Sequence, residues 1–292
     1  VVVYFLDARR HRWLNLGFAS LQPSELAKPA LILFLAWFIS TRQRAINDKH
    51  TLGPAGLILT ILGITVVAAD LGTAMVLVAT AAAVLYVAGI DRRYLFIGAT
   101  LVAIAAAGAI LAKPYRVARI VGKLDPDYTI ISRFDKDGAI RRYVQRSVST
   151  TDLGYQPRQS KIAVGAGGVF GLGLMQSRQK LMYLPEAQTD YIYAVVGEEL
   201  GLWGSAAVLA GFFLILWRGL RVYFLAPDAF GRCLALGVTV SIFIQALMHI
   251  SVVLDIGPVK GIPLPMISYG GSSLLSTLTS LGLLLSVSEH AG

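Results

Sequence analysis

The chain has few of the residues on which disulfide frameworks and metal centres depend. Its 292 residues include one cysteine, Cys233, which excludes a disulfide within the chain and a multi-cysteine metal site. Its four histidines show no i, i+4 ligand pair, so no histidine-based metal site is predicted. Only 15% of the residues are charged whereas 55% are hydrophobic, and the mean hydropathy is +0.65. This composition indicates a polytopic membrane protein.

The net charge of the chain is positive, which bears on its binding partners. The chain has 26 basic and 17 acidic residues, which gives a net charge of +9. A basic chain can bind nucleic acid, but these basic residues are not concentrated in one amphipathic arm, so no nucleic-acid partner is predicted. Membrane topology, contact with membrane lipid and an anionic substrate explain the charge better.

Seven apolar runs approach the ~20 residues that a transmembrane helix needs. They lie at about 24–41, 53–69, 72–90, 94–112, 191–217, 231–254 and 269–288. Residues 1–6 are apolar but too few to span, so we expect the chain to start inside a truncated span. The predicted fold class is all-α: a polytopic helical membrane protein with about seven full transmembrane helices plus a remnant, in a single integral membrane domain over residues 1–292.

Orientation follows from the short loops, because lysine and arginine near span ends are retained in the cytoplasm. One side carries eight such residues, namely Arg42, Arg44, Lys49, Arg92, Arg93, Arg218, Arg221 and Arg232. The other side carries four, namely Arg9, Arg10, Arg12 and Lys260. The first side is therefore the predicted cytoplasmic face, and residues 113–190 form one long extracytoplasmic loop. A loop of this length usually has a function.

The stretch LPEAQTDYIYAVVGEELG, residues 184–201, is where the long loop returns to an apolar span. Asp190 should face the membrane surface, and Glu198 and Glu199 follow eight and nine residues later, roughly 12 Å deeper along a helix. Ionisable groups at that depth are expensive and usually paired or functional. From the residues alone, Asp190 is either a reactive carboxylate at the outer surface or an N-terminal cap of the next helix.

A second polar group lies in QPSELAK, residues 22–28. Pro23 suits the first turn of a helix, and Glu25 and Lys28 are three residues apart, hence neighbours on one helix face. The pair is either a snorkelling ion pair at a helix end or a functional pair within the membrane.

The long loop carries cations and a glycine-rich segment. Its basic residues include KPYRVAR at 113–119, which either anchors to lipid headgroups or meets an anionic substrate. The segment VGAGGVFGLGL at 164–174 lacks a preceding strand and a Gly-Lys-Ser/Thr ending, so a nucleotide-binding loop is not predicted. Its glycines instead indicate tight turns and close backbone packing.

Three further motifs have simple structural interpretations. Trp13 in RRHRWLNLG suits an interfacial anchor. Asp70 in AADLGTA lies between two spans with almost no loop, where it can cap the following helix. The segment GPVKGIPLPMISYGGSS, residues 257–273, resembles a re-entrant turn, whose irregular backbone must be buried by protein or line a cavity.

Five of these motifs, in this order, closely resemble the shape, elongation, division and sporulation (SEDS) family, which includes RodA and FtsW. They are RWLNLG, QPSELAK, DLGTA, LPEAQTDYIYAVVGEELG and GIPLPMISYGGSS. The resemblance covers essentially the whole chain. It implies a ten-helix glycosyltransferase of the bacterial inner membrane that polymerises lipid II into peptidoglycan strands, with a class B penicillin-binding protein as its partner.

The resemblance also implies roles for particular residues. Asp190 matches the essential extracellular carboxylate of the family, and Glu25 and Lys28 match the polar pair that lines its central cavity. Trp13 matches the tryptophan of its outer loop. The enzyme interpretation therefore expects Asp190, Glu25 and Lys28 to line one cavity open to the outer leaflet.

Several positions depart from the family pattern. The first two family helices and nearly all of the third do not match residues of this chain, and the insertion at 125–151 is longer than usual. His249 and Asp255 stand where the family usually has Asn and Gly, and Ala69 replaces the usual Pro. The run GYQPRQSKIAVGAGGVFGLGL favours the RodA branch and Lys260 the FtsW branch, so the branch stays open.

The chemistry of polymerisation needs a base and cations. A sugar hydroxyl must lose its proton while pyrophosphate leaves the anomeric carbon of the other sugar. Asp190 is the candidate base, and Lys28, Arg116 and Arg119 are candidates to bind the pyrophosphate. No cofactor is assigned, although a divalent cation is a candidate to share that role. A lipid-linked precursor flippase and a non-enzymatic scaffold for a penicillin-binding protein remain alternatives.

Overall fold

The computed structural model describes residues 14–15, 20–43, 46–112, 116–118, 121, 155–257 and 261–291. The predictions for Trp13, Arg119, the remnant at 1–6 and the insertion at 125–151 lie outside these residues, as do the orientation residues Arg9, Arg10, Arg12, Arg44 and Lys260.

The described part of the chain is largely helical. Its elements, in chain order, are β1 (Leu14–Asn15), β2 (Ser20–Leu21), α1 (Pro23–Arg42), α2 (Lys49–Ala69), α3 (Leu71–Val87), α4 (Arg92–Leu111), α5 (Tyr155–Gly167), α6 (Gln179–Met182), α7 (Ile192–Leu225), α8 (Ala229–Val253) and α9 (Gly271–Glu289). The two short strands pair antiparallel, with Leu14 opposite Leu21. The predicted all-α class is confirmed.

A helix occupies each of the seven predicted spans. Among the described residues, six helices are long and apolar enough to cross a membrane, namely α1, α2, α4, α7, α8 and α9. The seventh, α3, is apolar but has 17 residues, about 26 Å at the usual rise per residue. That length falls just short of a hydrocarbon core of about 30 Å.

Local sequence explains where several helices begin. Pro23 occupies the first turn of α1, where its missing N–H costs nothing. Asp48 caps α2 by accepting from the N–H of His50. The Asp70 carboxylate accepts from the N–H of Gly72 at 2.9 Å and from the Thr73 hydroxyl at 3.0 Å, which confirms the predicted cap of α3.

The span predicted at 191–217 was drawn too short, because α7 continues to Leu225. Charged residues from Arg218 onwards ended the apolar run, but long basic side chains can keep their stems on apolar surface and their heads in water. The Arg218 guanidinium lies 5.0 Å from the centre of the Trp217 ring. A second feature of α7 was not predicted: its backbone leaves helical geometry at Gly201, with φ 65° and ψ −156°.

The chain forms two compact units. The first comprises Val1–Ala103, Ala207–Leu247 and Ile262–Gly292, and the second comprises Ile104–Ala206 and Met248–Gly261. In the first unit α1 packs against α3 and α9, and α2 packs against α3; the buried side chains of α1 include Leu31, Ile32 and Leu35. In the second unit α5 lies near α6. The predicted single membrane domain over 1–292 stays a prediction.

Candidate active site

Glu25 and Lys28 form a buried ion pair on one face of α1. Their spacing of three residues brings the Lys28 ammonium to 2.7 Å from Glu25 Oε2. The two residues are only 2% and 5% exposed. The pair therefore differs from a snorkelling anchor, which would keep its charged ends in water.

Gln245 of α8 completes this cluster. Lys28 donates to Gln245 Oε1 at 2.6 Å, and Gln245 Nε2 donates to the carbonyl of Pro263 at 2.7 Å. We call Glu25, Lys28 and Gln245 the Lys28 cluster. Gln245 was not among the predicted site residues, although an amide in the apolar run SIFIQALMHI is a signal that could have identified it, because buried polar groups require partners.

Three motifs of the sequence meet at Gln22, just before α1. Its side chain donates to Asp70 Oδ2 at 3.3 Å, and its backbone N–H donates to Ser272 Oγ at 3.1 Å. Ser276, one turn further along α9, donates its hydroxyl to the carbonyl of Glu25 at 2.7 Å. QPSELAK, DLGTA and the GGSS end of the last loop thus form one hydrogen-bonded junction.

From Ile262 onwards, the loop at 257–273 belongs to the first unit. Ile262 and Leu264 are buried, and the Leu264 N–H donates to Ser268 Oγ at 2.7 Å. A Cβ added at Gly72 would come 2.8 Å from Ile262 Cγ1, so α3 approaches the loop closely because residue 72 is glycine. Ile262, Leu264 and Ser268 of this irregular segment are buried by protein, whereas Met266, Ile267 and Tyr269 are exposed.

Asp190 lies in the second unit, two residues before α7 begins. Its N–H donates to the carbonyl of Glu186 at 3.0 Å, and the residue is half-buried. Gly261 lies against its side chain: a Cβ added at residue 261 would come 2.6 Å from Asp190 Cγ. Any larger residue there would displace the carboxylate. Glycine therefore lets the backbone approach a carboxylate that keeps some exposure.

Glu198 and Glu199 are both partnered, as their predicted depth required. Glu198 accepts from the Ser177 hydroxyl and from the N–H of Arg178, the latter at 3.0 Å. Glu199 forms an ion pair with Lys180. We call these five residues the Glu198 cluster. The Glu198 carboxylate lies at the N-terminal end of α6, where free N–H groups favour an anion.

The glycine-rich segment packs backbone against backbone, as predicted. A Cβ added at Gly167 would come 2.9 Å from the Cα of Glu198. The N–H groups of Leu172 and Gly173 donate to the carbonyls of Glu198 and Glu199, each at 3.0 Å. These glycines thus serve close packing against α7.

Arg116 belongs to the predicted basic group 113–119. It is buried, and its Nη1 donates to the carbonyl of Ala109, near the end of α4, at 2.9 Å. A cation at this position stabilises the negative end of a helix. Its predicted role in substrate binding stays a prediction.

The structure brings Glu25 and Lys28 together in the first unit and places Asp190 and Arg116 in the second. The expected shared cavity of Asp190, Glu25 and Lys28 stays a prediction. Among the described residues, no group of three or more His, Cys, Asp and Glu side chains could hold a metal ion. The candidate divalent cation therefore has no ligand cluster in this part of the chain.

Known proteins are similar to this chain in sequence. The family model described as "Cell cycle protein", which covers FtsW, RodA and SpoVE, matches residues 7–292. Stage V sporulation protein E of Bacillus subtilis (strain 168) is 41% identical over 283 residues, which is 96% of this chain and 71% of that protein. A probable peptidoglycan glycosyltransferase FtsW of Trichlorobacter lovleyi is 38% identical over 284 residues, which is 95% of this chain and 68% of that protein.

Solved structures share the fold. A chain from a study of how a peptidoglycan synthase complex coordinates polymerization and crosslinking has a TM-score of 0.69 at 25% identity, covering 99% of this chain and 79% of that chain. The rod shape determining protein RodA of Thermus thermophilus has a TM-score of 0.58 at 22% identity, covering 100% of this chain and 77% of that chain.

Long apolar helices, with the buried ion pair of Glu25 and Lys28 on one of them, define the class, a multi-pass helical membrane protein. Within that class, the chain belongs to the FtsW/RodA/SpoVE family. This confirms the resemblance to the SEDS family that its five motifs indicated.

Proposed function

We propose that the chain is a peptidoglycan glycosyltransferase that polymerises lipid II at the outer face of the bacterial inner membrane. The observation that carries the proposal is the position of Asp190, a half-buried carboxylate just before a membrane span, with the backbone of Gly261 against it. Family membership and relatives named peptidoglycan glycosyltransferase support the same activity.

Asp190 acts as the general base in this proposal. A hydroxyl oxygen of one lipid-linked sugar attacks the anomeric carbon of the other, and its proton passes to the Asp190 carboxylate. The bond from the anomeric carbon to the pyrophosphate oxygen breaks, and that oxygen keeps the electron pair. A half-buried carboxylate suits this task because it can meet both substrate and solvent.

Lys28 is the proposed electrostatic partner of the pyrophosphate. Glu25 and Gln245 hold its ammonium in one position, and a fixed charge stabilises developing negative charge without reorganisation. Arg116 and Arg119 are further candidates, and Trp13 is proposed to contact the substrate from the outer loop.

A class B penicillin-binding protein is the proposed partner. The structural neighbour from a synthase complex supports this pairing, because that complex coordinates polymerization with crosslinking. The choice between the elongation and division branches is open, since relatives named for sporulation and for FtsW match at 41% and 38% identity.

The test is polymerisation of lipid II by the purified complete protein carrying Asp190→Asn. We expect glycan polymer from the parent protein and none from Asp190→Asn, because the amide is nearly isosteric but cannot accept the proton. Glu186→Gln is the matched control, since Glu186 is an exposed carboxylate four residues away and should leave polymerisation unchanged.

Other outcomes would assign another function. Polymerisation by Asp190→Asn within a few fold of the parent would reject Asp190 as the base. Transfer of lipid II across the bilayer without glycosidic bond formation would indicate a flippase, and neither activity would indicate a scaffold. Loss of folded protein on Asp190→Ala, with Asp190→Asn folded and active, would instead support a helix-capping role, because asparagine also caps a helix.

A further inference from the structure

Residues 169–175, between α5 and α6, expose an unusual concentration of apolar side chains. The sequence there is VFGLGLM, which contains no polar or charged side chain. Phe170 is 84% exposed, Leu174 70% and Met175 80%. Val169 and Leu172 are also exposed. Exposure of this apolar surface to water would cost about 25 cal/mol of free energy per Å².

The backbone of this segment is largely satisfied within the protein. The Gly171 N–H donates to the carbonyl of Gly167, and those of Leu172 and Gly173 donate to the carbonyls of Glu198 and Glu199. Two further bonds run the other way. The N–H groups of Leu202 and Trp203 donate to the carbonyls of Gly168 and Val169. Internal pairing of this kind is what hydrocarbon requires of any backbone that is not a regular helix.

These hydrogen bonds also give the depth of the segment. Its partners begin at Glu198, six residues after the start of α7, or about 9 Å along the helix axis. The helix is one of the membrane-spanning candidates, so residues 169–175 lie beside its second turn and beyond. The segment therefore lies alongside the body of α7 and not before its first residue.

The exposed surface of α7 continues the same patch. Leu202 and Trp203, which donate to the segment, are exposed and apolar as well. Basic residues flank the patch in the sequence, with Lys161 before it and Arg178 and Lys180 after it. An apolar surface that ends in basic residues is typical of protein that enters the acyl region and stops at the headgroups.

We propose that residues 169–175 form a re-entrant segment within the hydrocarbon of the leaflet next to the N-terminal end of α7. Its five apolar side chains contact lipid acyl chains, and its backbone is paired with the interrupted helix. This revises the sequence prediction in one respect: part of the loop at 113–190 lies in the membrane. The proposal does not depend on the enzymatic reaction.

The test uses nitroxide labels on single cysteines in the complete protein, reconstituted in phosphatidylcholine and phosphatidylglycerol vesicles, in a Cys233→Ala background. Phe170→Cys and Leu174→Cys report on the segment. Leu202→Cys on the exposed face of α7 is the membrane reference, and Arg158→Cys on α5 is the aqueous reference. Relaxation by oxygen, which concentrates in hydrocarbon, is compared with relaxation by a water-soluble nickel chelate.

We expect the labels at 170 and 174 to follow the one at 202, with oxygen dominating over the nickel chelate. A pattern like that at 158 would overturn the proposal, because the segment would then lie in water. Low accessibility to both reagents would also overturn it, because protein would then cover the segment.

Phe170→Trp supplies a second measurement with a near-isosteric side chain. Lipids brominated on their acyl chains should quench the fluorescence that the new tryptophan adds to the parent protein. Aqueous iodide should not. The reverse pattern would place residue 170 in water and reject the proposal.

Discussion

The Lys28 cluster and the Glu198 cluster place carboxylates inside membrane spans in two different ways. In the first, Glu25 lies on α1, which continues as a helix through Pro29, and meets a cation one turn away, with Gln245 of another helix as the second acceptor of Lys28. In the second, Glu198 sits three residues before a break in the backbone and meets a hydroxyl and backbone N–H groups of the preceding loop.

The difference shows what each solution requires. An ion pair within one helix needs only the right spacing, because residues three apart share a face. A carboxylate held by backbone N–H groups needs a loop brought against the helix, and that approach depends on glycine at 167, 171 and 201. The first cluster should therefore tolerate neutralisation of both charges, whereas the second should fail when its backbone is changed.

The largest effect is expected from Gly201→Ala. Its φ of 65° and ψ of −156° lie in a region that is essentially restricted to glycine, and an added Cβ would come 2.6 Å from the carbonyl oxygen of Val169. Backbone strain and overpacking each cost about 1–3 kcal/mol, so the total loss of stability reaches up to about 6 kcal/mol. Thermal unfolding of purified protein in detergent measures it.

Gly211→Ala is the control on the same helix. Nothing lies within 4 Å of a Cβ at residue 211, and alanine favours a helix over glycine by up to about 1 kcal/mol. Its unfolding temperature should stay the same or rise. A fall for Gly211→Ala equal to that for Gly201→Ala would show that the break has no special role.

Lys28→Met should come next, with a loss of about 3–5 kcal/mol, because removal of one partner leaves Glu25 buried without its cation. The double variant Glu25→Gln/Lys28→Met should recover most of that loss. In the polymerisation assay Lys28→Met should reduce substrate affinity and turnover, Lys28→Arg should retain part of both, and Glu25→Gln should be intermediate.

These two readouts separate the roles of the pair. A double variant that is stable but inactive supports the assignment of Lys28 to the substrate. Parental kinetics of the folded Lys28→Met protein, together with the expected loss of stability, would reduce the pair to a structural anchor. If the double variant does not regain stability, the Lys28 cluster does not tolerate neutralisation of both charges. The expected difference between the two clusters would then be wrong.

Glu198→Ala should lose about 1–3 kcal/mol, since the buried Ser177 hydroxyl would be left without an acceptor and the Arg178 N–H would lose its own. Glu198→Gln keeps an acceptor oxygen and should lose less. No single neutralisation of a cation should rescue Glu198→Ala, and rescue by Lys180→Met would contradict the distinction between the clusters. Unfolding temperatures of the three proteins provide the comparison.

The smallest effect is expected from Lys161→Met in the second unit. Lys161 and Asp255 form an ion pair of 2.8 Å, similar in length to that of Lys28, but their side chains are 54% and 22% exposed. Exposed pairs are worth about 0–1 kcal/mol and weaken with salt. In low salt, the unfolding temperature of Lys161→Met should be slightly below that of the parent protein. In high salt, the two temperatures should be equal. If Lys161→Met loses as much stability as Lys28→Met, burial is not the reason why the two ion pairs differ.

Helix positions could be predicted from the sequence because an apolar run of about 20 residues by itself indicates a transmembrane helix. The cap at Asp70 was predictable as well, since a cap depends on neighbours two and three residues away. The ion pair of Glu25 and Lys28 also follows from local spacing.

Features set by distant partners could not be predicted. Gln245 is 217 residues from Lys28, and no local pattern relates the two. Gly201 stands in an apolar run that reads as continuous helix, because a single glycine in a helix costs only about 1 kcal/mol. Its conformation is decided by contact with Val169 and Gly171, some thirty residues earlier. The role of Asp190 rests on chemistry that neither periodicity nor burial specifies.

The break at Gly201 also divides the dipole of a 34-residue helix. Each helix end carries roughly half an elementary charge, so an interruption places a negative carbonyl end and a positive amide end within the span. The N–H groups of Leu172 and Gly173 meet the negative end, and the carbonyls of Gly168 and Val169 meet the positive one. Opposite partial charges thus lie within hydrogen-bond distance of both ends, and α7 is interrupted without presenting an uncompensated field to the hydrocarbon.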